Sequence, residues 1–140
     1  MTSPFENLAG PGKPLAVELA DVQEIRALAH SGRVRLVDAH MSALSDESRF
    51  DLAYNAAHAL CLAALRHKGY RASNRYIVFQ LLPHTLGLGP EIWRVLARAH
   101  EIRNRNEYEV DAVVDQRFMH ELIAAAQTVA DALRSLDLPQ

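Results

Sequence analysis

His100, Arg103, Asn104 and Glu107 fall on one broad face of a helix that starts near Pro90, when Leu96 is set at the centre of its inner side and each residue advances by 100°. Trp93 and Leu96 share that face, so a stripe begins apolar and turns polar and charged without changing sides. Arg94, Arg98, Glu101 and Arg105 fall opposite, where water solvates them. A guanidinium beside an imidazole and a carboxamide is chemistry suited to phosphate, because charge-assisted hydrogen bonds hold the anion. The His100 imidazole or the Tyr108 phenol would then be the group to move a proton. A buried charge needs a partner or a task. The plain alternative is a helix leaving the core, with Arg103 and Glu107, four residues apart, paired to each other.

A second polar stripe lies in the Ala- and Leu-rich run that precedes it. Asp51, Asn55 and His58 recur at i, i+4 and i+7. From Leu52 to Leu65 only Asn55 and His58 are strongly polar, with Tyr54 amphipathic. A helix apolar nearly all round is buried. Asn55 and His58 are then either satisfied polar groups bridging helices, or the lining of a pocket into which Arg103 points.

Other chemistries find no footing. The seven histidines are scattered over separate segments, with no His-x-x-x-His pair. No Glu is followed three residues later by His, which removes the di-iron pattern of helical bundles. Gly87-Leu88-Gly89-Pro90 lacks the Lys-Ser/Thr and preceding strand of a phosphate loop. The single Cys61 sits in an apolar run and reads as a small core residue in a reducing compartment. No metal and no cofactor is expected.

The elements that must position these residues are helical. Met1 to Pro14 carries three prolines and two glycines and reads as an irregular arm, with residues 15–140 a single helical domain. Leu19, Val22, Ile25 and Leu28 give a first helix from Leu15 to His30. Ser31-Gly32 interrupts it, and Val34, Leu36, Val37, Met41 and Leu44 give a second helix or a bent continuation. Ser45 or Asp46 caps a long helix from about Glu47 to His67, which Gly69 ends. Ser73 or Asn74 caps a shorter one that meets Pro83, and Pro90 suits the first turn of the Trp93 helix. Asp115 caps the last, where Phe118, Leu122, Ala125, Val129, Leu133 and Leu136 form a continuous apolar stripe. No strand alternation is evident. The expected class is all-α: an up-and-down four-helix bundle with one or two short extra helices.

Composition agrees with one domain: 140 residues, 49% of them hydrophobic, without an apolar run long enough to span a membrane. The N-terminus lacks the basic and apolar regions of a signal peptide, so a cytoplasmic protein is expected. The net charge of −2 hides an asymmetry. Between Cys61 and Arg105 eight cations face two acids, a block able to meet phosphate or an acidic partner. Arg66, His67 and Lys68 owe their place to the end of a helix, whose dipole favours cations.

Arg103-Asn104, an Arg followed by a polar residue near the end of a helix in a small helical protein, resembles the signature of HEPN domains. The family's nucleases place a His four to six residues after the Arg. Here that interval holds Glu107, Tyr108 and Glu109. Members ending the motif in His-x-Tyr would find Asn106 in the His position, and divergent members with Arg, three residues, an acid and Tyr match Arg103, Glu107 and Tyr108. The resemblance spans roughly Val34 to Leu136 and implies a dimeric helical bundle whose partner is a minimal nucleotidyltransferase, as in toxin–antitoxin pairs. It implies RNA or a nucleotide as ligand, with Arg103, Glu107, Asn106, His100, Asn55 and His58 as the binding set. In an active, metal-independent ribonuclease Arg103 would hold the scissile phosphate, Asn104 orient it, and Tyr108 or His100 transfer protons. The missing His points instead to a module that binds without turnover.

Overall fold

In the computed structural model the described residues are 4–106 and 115–136. They form α1 (Pro4–Leu8), β1 (Leu15–Val17), α2 (Val22–Ala39), α3 (Asp46–His67), β2 (Tyr70–Ala72), α4 (Arg75–Gln80), α5 (Leu82–Thr85), α6 (Pro90–Asn106) and α7 (Gln116–Arg134). The chain is thus mostly helical, with one small two-stranded sheet.

The Ala-rich α3 is the central element. Ser45 caps it, its Oγ accepting from the Ser48 N–H at 3.1 Å. Ala53, Ala56, Ala57, Leu60, Cys61, Ala63 and Ala64 are all buried, so small side chains face neighbours on every side. α2 and α7 make its most extensive contacts, and α4, α5, α6 and β2 also touch it. The apolar surface of the Ala-rich helix is therefore used within the chain. α7 contributes Met119, Leu122, Ala126, Val129 and Leu133 to the same core, the stripe its sequence displayed.

Two expectations near the N-terminus need correction. Leu15 to Val17 is a strand, not the start of a helix. It pairs antiparallel with β2 in the register Leu15↔Ala72, Ala16↔Arg71, Val17↔Tyr70. Three residues are too few to display an alternation, and the ladder is formed by partners more than fifty positions away, so nothing local announced it. The helix expected from Leu15 begins only at Val22, as α2, where Asp21 accepts from the Gln23 and Glu24 N–H groups. Ser31-Gly32 is the second correction, since α2 runs straight through it. Gly32 serves close packing: a Cβ there would sit 2.6 Å from Leu60 Cγ and 3.1 Å from the Ala56 carbonyl oxygen. The glycine lets α2 lie down on α3 and does not break the helix.

Within the expected arm, residues 4–8 are helical and the Phe5 ring stacks on Tyr70, with centroids 5.0 Å apart. Gly69, at φ +89°, ends α3 in the left-handed region and turns the chain into β2. Asn74 then caps α4 through the Ile77 N–H. Pro83 stands in the first turn of the four-residue α5, where a missing N–H costs nothing. These two turns bring α4 back against α6 and α3.

The buried end of α3 is fastened by Arg66, 1% exposed. Its Nε donates to Glu24 Oε1 at 2.6 Å, Nη1 to the Glu18 and Tyr70 carbonyls, and Nη2 to the Leu19 carbonyl at 2.7 Å. Arg71 on β2 closes the set, donating to Glu18 Oε2 and to both oxygens of Glu24. Two guanidiniums and two carboxylates thus tie α3, β2, α2 and the segment before α2 together. Among the described residues no helix is long and apolar enough to cross a membrane.

Candidate functional site

Tyr54 lies at the junction of α3, α4 and α6. It is 1% exposed, yet its ring is surrounded by charge as much as by hydrocarbon. The Arg103 guanidinium carbon stands 5.1 Å from its centroid and that of Arg75 5.5 Å. Its hydroxyl is 2.8 Å from His100 Nδ1, and the two rings lie nearly parallel. Phe79 packs against Tyr54, His58 and His100 alike, with centroids 6.1, 6.1 and 6.3 Å away.

Helical periodicity accounts for this convergence. Asp51, Tyr54, Asn55 and His58 occupy i, i+3, i+4 and i+7 of α3 and so share a face. His100, Arg103 and Asn104 occupy i, i+3 and i+4 of α6. Leu96, fully buried, anchors the inner side of α6 one turn earlier and sets its rotation. Asn74 fixes the start of α4 and hence the position of Arg75.

Each polar atom has an identifiable role. Asn55 Nδ2 donates to the Asp51 carbonyl, and its Oδ1 accepts from Arg75 Nη1 at 3.2 Å, which orients that guanidinium. Arg103 Nε lies 3.8 Å from Asp51 Oδ1. Asn104 Nδ2 lies 3.2 Å from His100 Nε2. With that amide donating as placed, the single proton of a neutral imidazole is on Nδ1 and is donated to the Tyr54 oxygen.

The electrostatics favour an anion. Burial, Arg75 and His100 hold His58 down to about 4. Burial, Arg75 and Arg103 lower His100 as well, against a weaker opposing pull from Glu101. Both imidazoles are therefore neutral near pH 7, and the positive charge resides on the guanidiniums. Asp51, whose side chain is 65% exposed, is a solvated and weak counter-ion. Guanidiniums such as those of Arg75 and Arg103 are chemically suited to an anion through charge-assisted donors.

Of the residues singled out from sequence, Arg103, Asn104, His100, Asn55 and His58 come together here. Asn106 ends α6. Glu107 and Tyr108 lie outside the described residues, and with them the expected Arg103–Glu107 pair and the proposed catalytic phenol. Sequence reasoning missed Arg75, Tyr54 and Tyr76. Tyr54 had a signal, being the i+3 member of the stripe already drawn through Asp51, Asn55 and His58. Arg75 had none, because it reaches the site from a separate helix through a turn whose geometry no periodicity records.

Among the described residues no group of three or more His, Cys, Asp or Glu side chains is placed to hold a metal ion. Cys61 is fully buried, and burial pushes its thiol far up, away from nucleophilic use. No protein-family model, curated protein or solved structure matches this chain.

Proposed function

We propose that the chain is a HEPN-like up-and-down bundle of its four long helices α2, α3, α6 and α7, and that it acts as a cytoplasmic, homodimeric interaction module. In this reading it binds a nucleotide or RNA at the Tyr54 site and does not cleave it. The observation that carries the reading is the convergence of Arg75 and Arg103 on one buried tyrosine ring, from two different helices. The imidazoles beside them, lowered by burial and by the arginines, add no positive charge of their own. Dimerisation draws support from the exposed apolar row Val34, Val37, Met41 and Leu44, on the outer side of α2 and the turn after it. The nucleotidyltransferase partner follows from the HEPN resemblance alone.

A metal-independent ribonuclease is the second reading. It is favoured by His100, an imidazole on the same helix face as Arg103. Both of its ring nitrogens already face neighbours, Tyr54 and Asn104, and its basicity is lowered, so it is poorly suited to take a proton.

The test is incubation of purified protein with single-stranded and structured RNA without metal, beside a binding titration at rising salt. The expected result is no cleavage, with weak binding that falls as ionic strength rises and is lost in Arg103→Ala. Cleavage abolished by Arg103→Ala would replace the first reading with the second. Binding indifferent to Arg103 would overturn both. Sedimentation at micromolar concentration tests the dimer, and a strict monomer would remove it.

A further inference from the structure

Resting on the homodimer reading above, we propose that two copies of the chain pair along the outer face of α2, parallel and related by a two-fold axis, in a short coiled-coil seam fixed by reciprocal Arg33–Asp38 ion pairs. The surface, the orientation and the pairing residues are what this adds to that reading.

α2 carries the same heptad spacing on two opposite sides. Ile25, Ala29, Gly32, Leu36 and Ala39, at alternating intervals of four and three, are buried on the side that meets α3 and α7. Gln23, Ala27, His30, Val34 and Val37 repeat those intervals two positions earlier, and all are exposed. Two residues are a little over half a turn of helix, so the second stripe points away from the core. Met41 and Leu44 carry the intervals on through the turn after α2, where Met41 donates to the Asp38 carbonyl and Leu44 to the Met41 carbonyl. Val37 is 67% exposed and Met41 52%. Folding of the chain needs only the inner stripe. A second apolar stripe with the spacing of a coiled-coil seam is suited to another helix.

Charge selects that helix and its direction. With Ala27 and Val34 at the a positions and His30 and Val37 at d, Arg33 takes position g and Asp38 position e. In a parallel pair each g residue meets the e residue five positions on in the other helix, and these charges set the orientation. Arg33 and Asp38 are five positions apart, so a two-fold axis forms their pair twice. The reverse orientation sets Arg33 against a row of Arg26, Arg33 and His40, and sets Asp38 against Ser31 and Asp38. Like charges then face each other. On the flank of Asp38, Glu24 is engaged by Arg66 and Arg71, and Arg35 is turned onto Ser31. Val34 at a suits a two-stranded seam, and one polar residue in the seam, His30, fixes register by meeting its own copy. An 18-residue helix gives a seam about 27 Å long, small beside an obligate interface, so the dimer is a reversible one.

The experiment is sedimentation equilibrium of the full chain across micromolar concentrations. A reversible dimer is expected. Val37→Glu should raise its dissociation constant about a hundredfold, since each copy places a carboxylate in the seam. Thermal melts establish that each variant is folded, and Val34→Glu repeats the measurement should Val37→Glu fail to fold. Arg33→Glu and Asp38→Arg should each weaken the dimer about tenfold. An equimolar mixture of those two variants should recover the parent's affinity, because only the mixed pair matches charge at both contacts. A dimer indifferent to both valine variants would place the interface elsewhere and overturn this inference alone. Arg33→Glu that tightens the dimer, or a mixture that recovers nothing, would overturn the parallel orientation. A strict monomer would overturn this inference together with the homodimer beneath it, and would leave the face to a different protein.

Discussion

The Arg66 and Tyr54 clusters both sink guanidiniums into a helix junction, and they do so to opposite ends. Around Arg66 every donor direction meets an acceptor: two carboxylates and three backbone carbonyls surround it, and Arg71 shares the same two glutamates. The Arg71 bonds, joined by those of Arg66 at Glu24, hold Glu18 and Glu24 below the usual carboxylate range. Positive and negative charges match, and the network closes on itself. Around Tyr54 the guanidiniums rest on an aromatic face, Arg75 also donates to the Asn55 amide oxygen, and Asp51 is a loosely held carboxylate beside Arg103. The imidazoles there are pushed toward neutrality by burial first and by the arginines second. Matched charge buried at a junction stabilises the fold, whereas the arginines at Tyr54 rest on a π face beside neutral imidazoles, which is the ground for the proposed binding role.

The largest expected consequence falls at Arg66. Arg66→Ala leaves the Glu18, Leu19 and Tyr70 carbonyls without their Arg66 donor and removes one of the two guanidiniums that hold Glu24. Each buried acceptor left without its donor costs about 1–3 kcal/mol. Denaturant unfolding should show a loss of that size with binding per folded molecule unaltered. A loss under about 1 kcal/mol would erase the distinction between the two clusters.

Acid should separate the clusters by pH. His58 ionises near 6.5 when unfolded and at about 4 when folded. Between those values the unfolded chain holds a proton that the folded chain refuses, so stability falls as pH drops from about 6.5 to 4. The full effect of His58 is about 3 kcal/mol. His100, lowered by burial and by Arg75 and Arg103, adds to the same window. Glu18 and Glu24 act lower: their contribution is present above about 4.5 and is lost as pH falls through their depressed values. His58→Leu should therefore flatten the stability profile between pH 6.5 and 4.5 and leave the loss below it. Denaturation midpoints across that range measure both, and an unflattened profile would show that His58 is not held neutral by the Tyr54 cluster.

The same contrast explains how much of the molecule was legible in its sequence. Long helices with a repeating inner face declared themselves: Leu122 was mid-stripe and is fully buried, and Ser45, Asn74 and Asp115 are caps as their side chains suggest. Those signals are local, with periods of a few residues. The strands of three residues and the tolerance of Gly32 depend on partners far along the chain, and were misread. At the site, residues sharing one helix face were grouped correctly, because spacing alone groups them. Arg75 could not be joined to them, since only the turns at Gly69 and Asn74 decide where α4 lies. Arg66 was taken for a helix-end cation responding to the dipole, and its enclosure by Glu18 and Glu24 needed the β1–β2 pairing to become visible.

The smallest expected effect is the most discriminating. If the arginines at Tyr54 are arranged for a ligand, Arg103→Ala should barely disturb the fold. Arg103 is 31% exposed at its side chain, its contact with Asp51 is a long surface pair, and its contact with the Tyr54 ring is a cation–π interaction. A surface ion pair contributes up to about 1 kcal/mol, and a cation–π contact on a buried ring about 0.5–2 kcal/mol. Arg75→Ala loses the hydrogen bond to Asn55 and a similar ring contact, and should fall in the same range. Urea unfolding of both variants beside Arg66→Ala puts all three on one scale. The expected order is a severe loss at Arg66 and small losses at Arg75 and Arg103, with phosphate affinity following the reverse order. A loss of about 3 kcal/mol or more at Arg103 would mean that its charge is built into the core as firmly as that of Arg66, and the Tyr54 junction would then be a second structural clasp.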